Sequence, residues 1–228
     1  MYLDYTYILV IIGAIISAIA SWNISATYKK FSKYTNNKGL TAEEVAKTIL
    51  NGAGITDVRI ERVRGNLTDH YSPHEKVLRL SESVYGSTSI AAIGVAAHEC
   101  GHAIQHKEKY GPLSLRSISV PFANIGSNLS WPVILLGLIL GNETLAMVGI
   151  ILFVLVVLFE LITLPVEFNA SSRALKILER DNMLAGEELV GATKVLKAAA
   201  LTYVASLFAT ILQLLRLILI VRRNDDEE

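Results

Sequence analysis

The sequence is poor in the residues that define several common kinds of protein. It has one cysteine, Cys100, which excludes an intrachain disulfide framework and a cysteine-rich zinc knuckle. It has no net charge, because 21 Lys and Arg offset 21 Asp and Glu. No global field therefore favours a polyanion, and nucleic acid is not an expected partner. Only 18% of its residues are charged, against about 25% in soluble domains. No internal repeat or low-complexity tract stands out. What the chain does have is apolar length: 52% of its 228 residues are hydrophobic, and mean hydropathy is +0.43. Disorder, collagen and coiled coil are excluded by the same values, as is an ordinary soluble domain.

The apolar residues gather in four stretches, each near the roughly 20 residues that cross a bilayer. They run from Tyr5 to Trp22, Phe122 to Leu140, Leu145 to Leu164 and Ala199 to Val221. Asn124, Ser127, Asn128 and Pro132 interrupt the second, while the third and fourth carry the single charges Glu160 and Arg216. The first lacks the basic start and the clear cleavage site of a signal peptide, so it reads as a retained anchor. The expected fold is a mainly α, polytopic membrane protein with about four transmembrane helices and a small α+β region. Five segments follow: 1–23, the first span; 24–120, polar; 121–165, a transmembrane hairpin; 166–198, polar and helical; and 199–228, a fourth transmembrane or membrane-associated helix with an acidic tail.

Positive charge sets the expected orientation. Only Asp4 precedes the first span, whereas Lys29, Lys30, Lys33 and Lys38 follow it. Segment 24–120 holds 13 of the 21 Lys and Arg, and 165–198 holds five more. Both are expected on the cytoplasmic side, with the N-terminus and the Gly141–Thr144 turn outside. A fourth crossing would put the C-terminus outside, and Arg222 and Arg223 argue against that. The acidic run Asp225–Glu228 counts little on this rule, so the side of the C-terminus stays open. The sequons at Asn23, Asn66, Asn128 and Asn142 are too short a pattern to carry weight.

Between the spans, Thr41 is placed to cap a helix, with Glu44 three residues on as a capping box. Val45, Ile49 and Leu50 supply its apolar stripe, and Gly52 and Gly54 end it. Val58–Val63 and Lys76–Ser81 read as strands, with Tyr71–Glu75 as the turn before the second. Ser87–Lys107 reads as helix. The segment 167–198 reads as helix broken near Leu184–Gly186.

The chemistry sits in His98-Glu99-Cys100-Gly101-His102, an H-E-x-x-H inside a helix pattern. Side chains at i and i+4 share a face, so both imidazoles can reach one Zn²⁺ at about 2.0–2.1 Å. Glu99, offset from that face, can instead take a proton from a metal-bound water, whose pKa zinc lowers to about 7. Gly101 removes a side chain where the helix must be approached closely. Three of the five histidines fall at 98, 102 and 106. His106 is expected at the surface or behind the ligands, and Cys100 is expected as a small packed residue on the back of the helix. A catalytic zinc takes a third protein ligand. Two spans return the chain to the same side near Pro165, which favours Glu167. Glu160 is its rival, because an ionisable residue inside a span is costly and usually functional; alternatively, it pairs with Arg216.

In these residues and their neighbours, the chain resembles the YugP-type family of neutral zinc metallopeptidases of bacterial and archaeal membranes. The likeness rests on Arg64–Tyr71, Val77–Ser81, Ala96–His106, Leu164–Ala174 and Ala198–Ala205, and so covers nearly the whole chain. In layout the family is similar to the HtpX and CAAX-protease membrane zincins, which use H-E-x-x-H plus a later Glu. The resemblance implies one Zn²⁺ per chain, with His98, His102 and Glu167 as ligands and Glu99 as general base. It also implies a zincin-like character for segment 24–120, and a strand beside the active-site helix, 76–81, that holds an extended substrate. His70, Arg173 or Tyr203 would then donate to the oxyanion. Two departures stand out. The wider zincins often carry Asp where Ser171 stands, orienting a ligand His, and Asn169 stands where close relatives are expected to have Asp. Asn169 or Asp69 is then expected to support the ligands.

The expected function is a membrane-embedded zinc endopeptidase acting on membrane or unfolded proteins at a cytoplasmic site of the cell membrane, with a protein or peptide substrate and the lipid bilayer as partners. The alternative is a catalytically inactive metal-binding membrane scaffold, against which an intact Glu99 speaks. A transporter has only Glu160 and Arg216 inside its spans to build a path.

Overall fold

The computed structural model describes residues 5–225. Asp4 and the end of the acidic run, Asp226–Glu228, lie outside the described residues. The chain is mainly helical: α1 (Tyr7–Phe31), α2 (Ala42–Gly52), β1 (Arg59–Val63), β2 (His70–Ser72), β3 (Val77–Ser81), α3 (Ile90–Lys107), α4 (Gly111–Ile139), α5 (Glu143–Arg180) and α6 (Glu187–Asp225). It divides into two compact units. One takes the N-terminal segment to Ser21, Ser114–Leu164 and the chain from Leu201; the other takes Trp22–Leu113 and Pro165–Ala200.

The first unit is apolar inside and out. Four helices, α1, α4, α5 and α6, are long and apolar enough to cross a membrane, and each extends beyond the stretch expected from composition. Ile8, Ile11, Ile118, Ile151, Leu161 and Ile211 are exposed, as lipid-facing side chains would be. Its core is Ile134, Ala146, Ile150, Phe153, Leu217 and Val221. The α4–α5 hairpin closes on glycine: a Cβ at Gly137 would stand 2.4 Å from the Ala146 amide nitrogen. Small residues of this kind let membrane helices approach closely.

Glu160 and Arg216, both in this unit, do not pair as the sequence suggests. Glu160 Oε1 accepts hydrogen bonds from Ser206 Oγ and Thr210 Oγ1, each at 3.1 Å. The Arg216 guanidinium instead lies over the Tyr7 ring at 4.2 Å. Arg216 stands six residues beyond Thr210, about 9 Å further along α6, so the hydroxyls take the carboxylate.

The second unit is a small α+β assembly. Its α2 starts with the expected capping box: Glu44 N donates to Thr41 Oγ1, and Thr41 N donates to Glu44 Oε2. The sheet order is β1-β3-β2, with β1 parallel and β2 antiparallel to β3. Sequence patterning places Tyr71 and Ser72 in a turn. In the structure they belong to β2, in register with Leu78 and Val77, since three residues are too few to show alternation. Strand β3 is central, so Val77, Leu78 and Leu80 are fully buried. Leu78 and Leu80 share a core with Val45 and Ile49 of α2, Ile93 and Ala97 of α3, and Leu178 of α5. Burying each such large apolar side chain stabilises the unit by about 1.5–3 kcal/mol. The expected break near Leu184–Gly186 begins earlier, after Arg180, and α6 starts at Glu187.

Candidate metal centre

Helix α3 is capped by Ser89, whose Oγ accepts from Ala92 N at 3.2 Å. Nine residues after that cap, His98 presents its ring to the interior. His102 follows one turn later on the same face, and their Nε2 atoms stand 3.1 Å apart. Glu167, only 3% exposed, comes from α5 two residues after Pro165. Its Oε2 lies 3.3 Å from His98 Nε2 and 3.6 Å from His102 Nε2. The approach of α5 depends on Gly101, where a Cβ would meet the Ala170 carbonyl oxygen at 2.5 Å. The expectation that Gly101 clears a close approach is met by this contact.

These three side chains form a group that could hold a metal ion. The donor chemistry fits zinc. Four tetrahedral positions at about 2.05 Å from an ion lie about 3.3 Å apart, close to the three separations found. Each imidazole also has its other nitrogen engaged: His98 Nδ1 with Ser171 Oγ at 3.0 Å, and His102 Nδ1 with Gln105 Oε1 at 3.0 Å. Outer partners of this kind fix the orientation of metal-binding histidines. The electrostatics match. Burial alone would raise the Glu167 carboxyl, but hydrogen bonding to His102 and His98 holds it well below the usual carboxylate range. Burial would lower His102, yet the Glu167 bond and the Glu99 charge raise it. Glu99 is buried on α3 at 8% exposure, beside His98.

The surroundings of the remaining expected residues are as follows. His70 is exposed on β2; its Nδ1 meets the Thr68 carbonyl at 2.9 Å, and its Nε2 faces Arg79 at 3.5 Å. Arg173 is engaged by Asn169 Oδ1 at 2.7 Å and Glu108 Oε2 at 2.6 Å. Tyr203 belongs to the apolar unit, on α6, and is 39% exposed. His106 bonds the Tyr71 hydroxyl at 2.9 Å. Cys100 is fully buried, with its thiol directed at the Ala46 carbonyl on the back of α3, and burial pushes the thiol well up.

Asp69 does not support the ligands: it accepts from Ser81 N and Ser81 Oγ. Asn169 reaches them only through Gln105. The orienting position belongs to Ser171, which sequence reasoning treats as a departure, and to Gln105, which it does not single out. The only signal for Gln105 is its place one turn after His102, on the ligand side of α3. Strand β3 has β1 and β2 on its two edges, so no substrate strand can pair with it, contrary to expectation.

Residues 6–222 match the family described as "Putative neutral zinc metallopeptidase". The chain belongs to this family. It is 47% identical over 208 residues to "Putative membrane protease YugP" of Bacillus subtilis (strain 168), covering 91% of this chain and 92% of that one. No solved structure matches at a significant level. The family's zinc has a cluster of suitable donors in this chain, and the apolar helices make it a membrane protein.

Proposed function

We propose that the protein is a multi-pass zinc endopeptidase of the cell membrane that hydrolyses peptide bonds of membrane or unfolded proteins on the cytoplasmic side. The observation that carries this reading is the convergence of His98, His102 and Glu167 within one helix turn of a buried Glu99. Three protein donors leave a fourth position open, as in catalytic rather than structural sites. A zinc ion held there supplies a Lewis acid and a water acidic enough to act at neutral pH.

The chain's own residues do the rest. His98 and His102 present neutral imidazole nitrogens, and Glu167 adds the charge. Glu99 takes the proton from the attacking water and passes it to the leaving amine. An extended substrate has the outer edge of β2 available, beside α3, where Tyr71 already meets His106. The lysines at 29, 30, 33 and 38 support the cytoplasmic placement.

The test is cleavage of an unstructured protein by purified protein in liposomes, each variant carrying one zinc. Wild type is expected to cleave, and Glu99→Gln to be slower by about 10²–10⁴-fold. Full activity in Glu99→Gln overturns the mechanism. Zinc binding without any cleavage by wild type favours the inactive scaffold.

A further inference from the structure

We propose that Arg173 sets the ring tautomer of His102 through a relay of two amide side chains, Asn169 and Gln105, and so turns the Nε2 lone pair of His102 toward the metal centre. The inference rests on the reading of His98, His102 and Glu167 as metal ligands. It makes Arg173, Asn169 and Gln105 positioning residues.

The direction of each hydrogen bond follows from the one before. A guanidinium only donates. Arg173 Nε lies 2.7 Å from Asn169 Oδ1, so that atom must be the amide oxygen, which removes the usual ambiguity of an Asn flip. The same oxygen lies 3.0 Å from Gln105 Nε2. Gln105 Nε2 also lies 2.8 Å from the Val166 carbonyl oxygen. Two acceptors around one terminal atom require an NH₂ there, with both hydrogens used. Gln105 Oε1 is then the atom facing His102 Nδ1 at 3.0 Å. An amide oxygen only accepts, so Nδ1 carries the hydrogen. A neutral imidazole has one N–H, and Nε2 is left with its lone pair beside His98 Nε2 and Glu167 Oε2.

The relay is protected and anchored. Gln105 has no exposed surface, so water does not compete for its bonds. Arg173 is held by Glu108 Oε2 at 2.6 Å and lies over the Tyr110 ring at 5.8 Å. Both partners follow directly after α3, so the relay links the end of that helix to α5. His98 has no equivalent: Ser171 Oγ can donate or accept, and its ring tautomer is not dictated.

The test uses full-length, zinc-loaded protein in detergent, labelled with ¹⁵N-histidine. Long-range ¹H–¹⁵N correlation reads the ring state of His102, and chelator competition reads the zinc Kd. Wild type is expected to show His102 with Nδ1–H. Asn169→Asp still accepts from both Arg173 and Gln105, and its Kd is expected to stay within about threefold of wild type. Gln105→Leu and Asn169→Leu cut the relay and are expected to weaken zinc binding by about 10–100-fold, the usual effect of outer-shell loss. Should Gln105→Leu fail to fold, the Asn169 pair decides, since that side chain is only half-buried. The proposal is overturned if Asn169→Leu binds zinc as tightly as wild type, or if His102 carries its proton on Nε2. Wild type without zinc would instead bring down the site reading itself.

Discussion

Gly101 of α3 and Ala170 of α5 are in such close contact that a methyl group on Gly101 would stand 2.5 Å from the Ala170 carbonyl oxygen. The obstacle is backbone, which cannot swing aside. Gly101→Ala is therefore expected to push α5 away and carry Glu167 with it. The cost of overpacking is about 1–3 kcal/mol. Thermal unfolding should show that loss, and zinc affinity should fall in the same variant. A variant with unchanged Tm and unchanged affinity would mean the helices are not held this close.

The charge arrangement predicts opposite pH trends with and without metal. Glu167 is depressed in the folded state, so its contribution is present above the unfolded carboxylate pKa of about 4.3 and is lost as pH falls through the folded value. His102 is raised, so its contribution is fully present below about 6.5 and is lost as pH rises through the folded value. In metal-free protein the two overlap between about pH 4.5 and 6.5. Zinc needs deprotonated imidazoles and pulls the other way. The Tm difference between wild type and Glu167→Gln should therefore be larger at pH 5.5 than at pH 8 without metal, and larger at pH 8 with zinc. A metal-free difference that does not shrink toward pH 8 contradicts the arrangement.

Ser171 holds His98 Nδ1 by a hydroxyl that also supplies no charge. Ser171→Ala removes the partner and should weaken zinc binding by about tenfold, the lower end for such contacts. Ser171→Asp offers a charged acceptor at the same place, and charge-assisted bonds are stronger, so its affinity should match or exceed that of wild type. Equal affinities across all three would show that Ser171 does not orient His98.

Much of this was legible along the chain, and the reasons differ by residue. Four apolar stretches and the i, i+4 pair His98 and His102 are periodic signals, and periodicity survives without knowledge of the fold. The Thr41–Glu44 box is local, and its two partners lie three residues apart. Strand β2 was hidden because its three residues alternate too briefly. Gln105 was hidden because its partners, Val166 and Asn169, lie 61 and 64 residues away. The Glu160–Arg216 pairing failed because depth in the bilayer does not say which helix face is opposite. Ser206 and Thr210, unremarkable in sequence, hold that position.

The most direct measurement is zinc content per chain in detergent-purified wild type, Glu167→Ala and Glu160→Ala. With Glu167 beside both histidines and Glu160 bonded to Ser206 and Thr210, one zinc is expected in wild type and in Glu160→Ala, and none in Glu167→Ala. Zinc lost only with Glu160, or absent from wild type even after reloading, would contradict the assignment of His98, His102 and Glu167 as the metal centre.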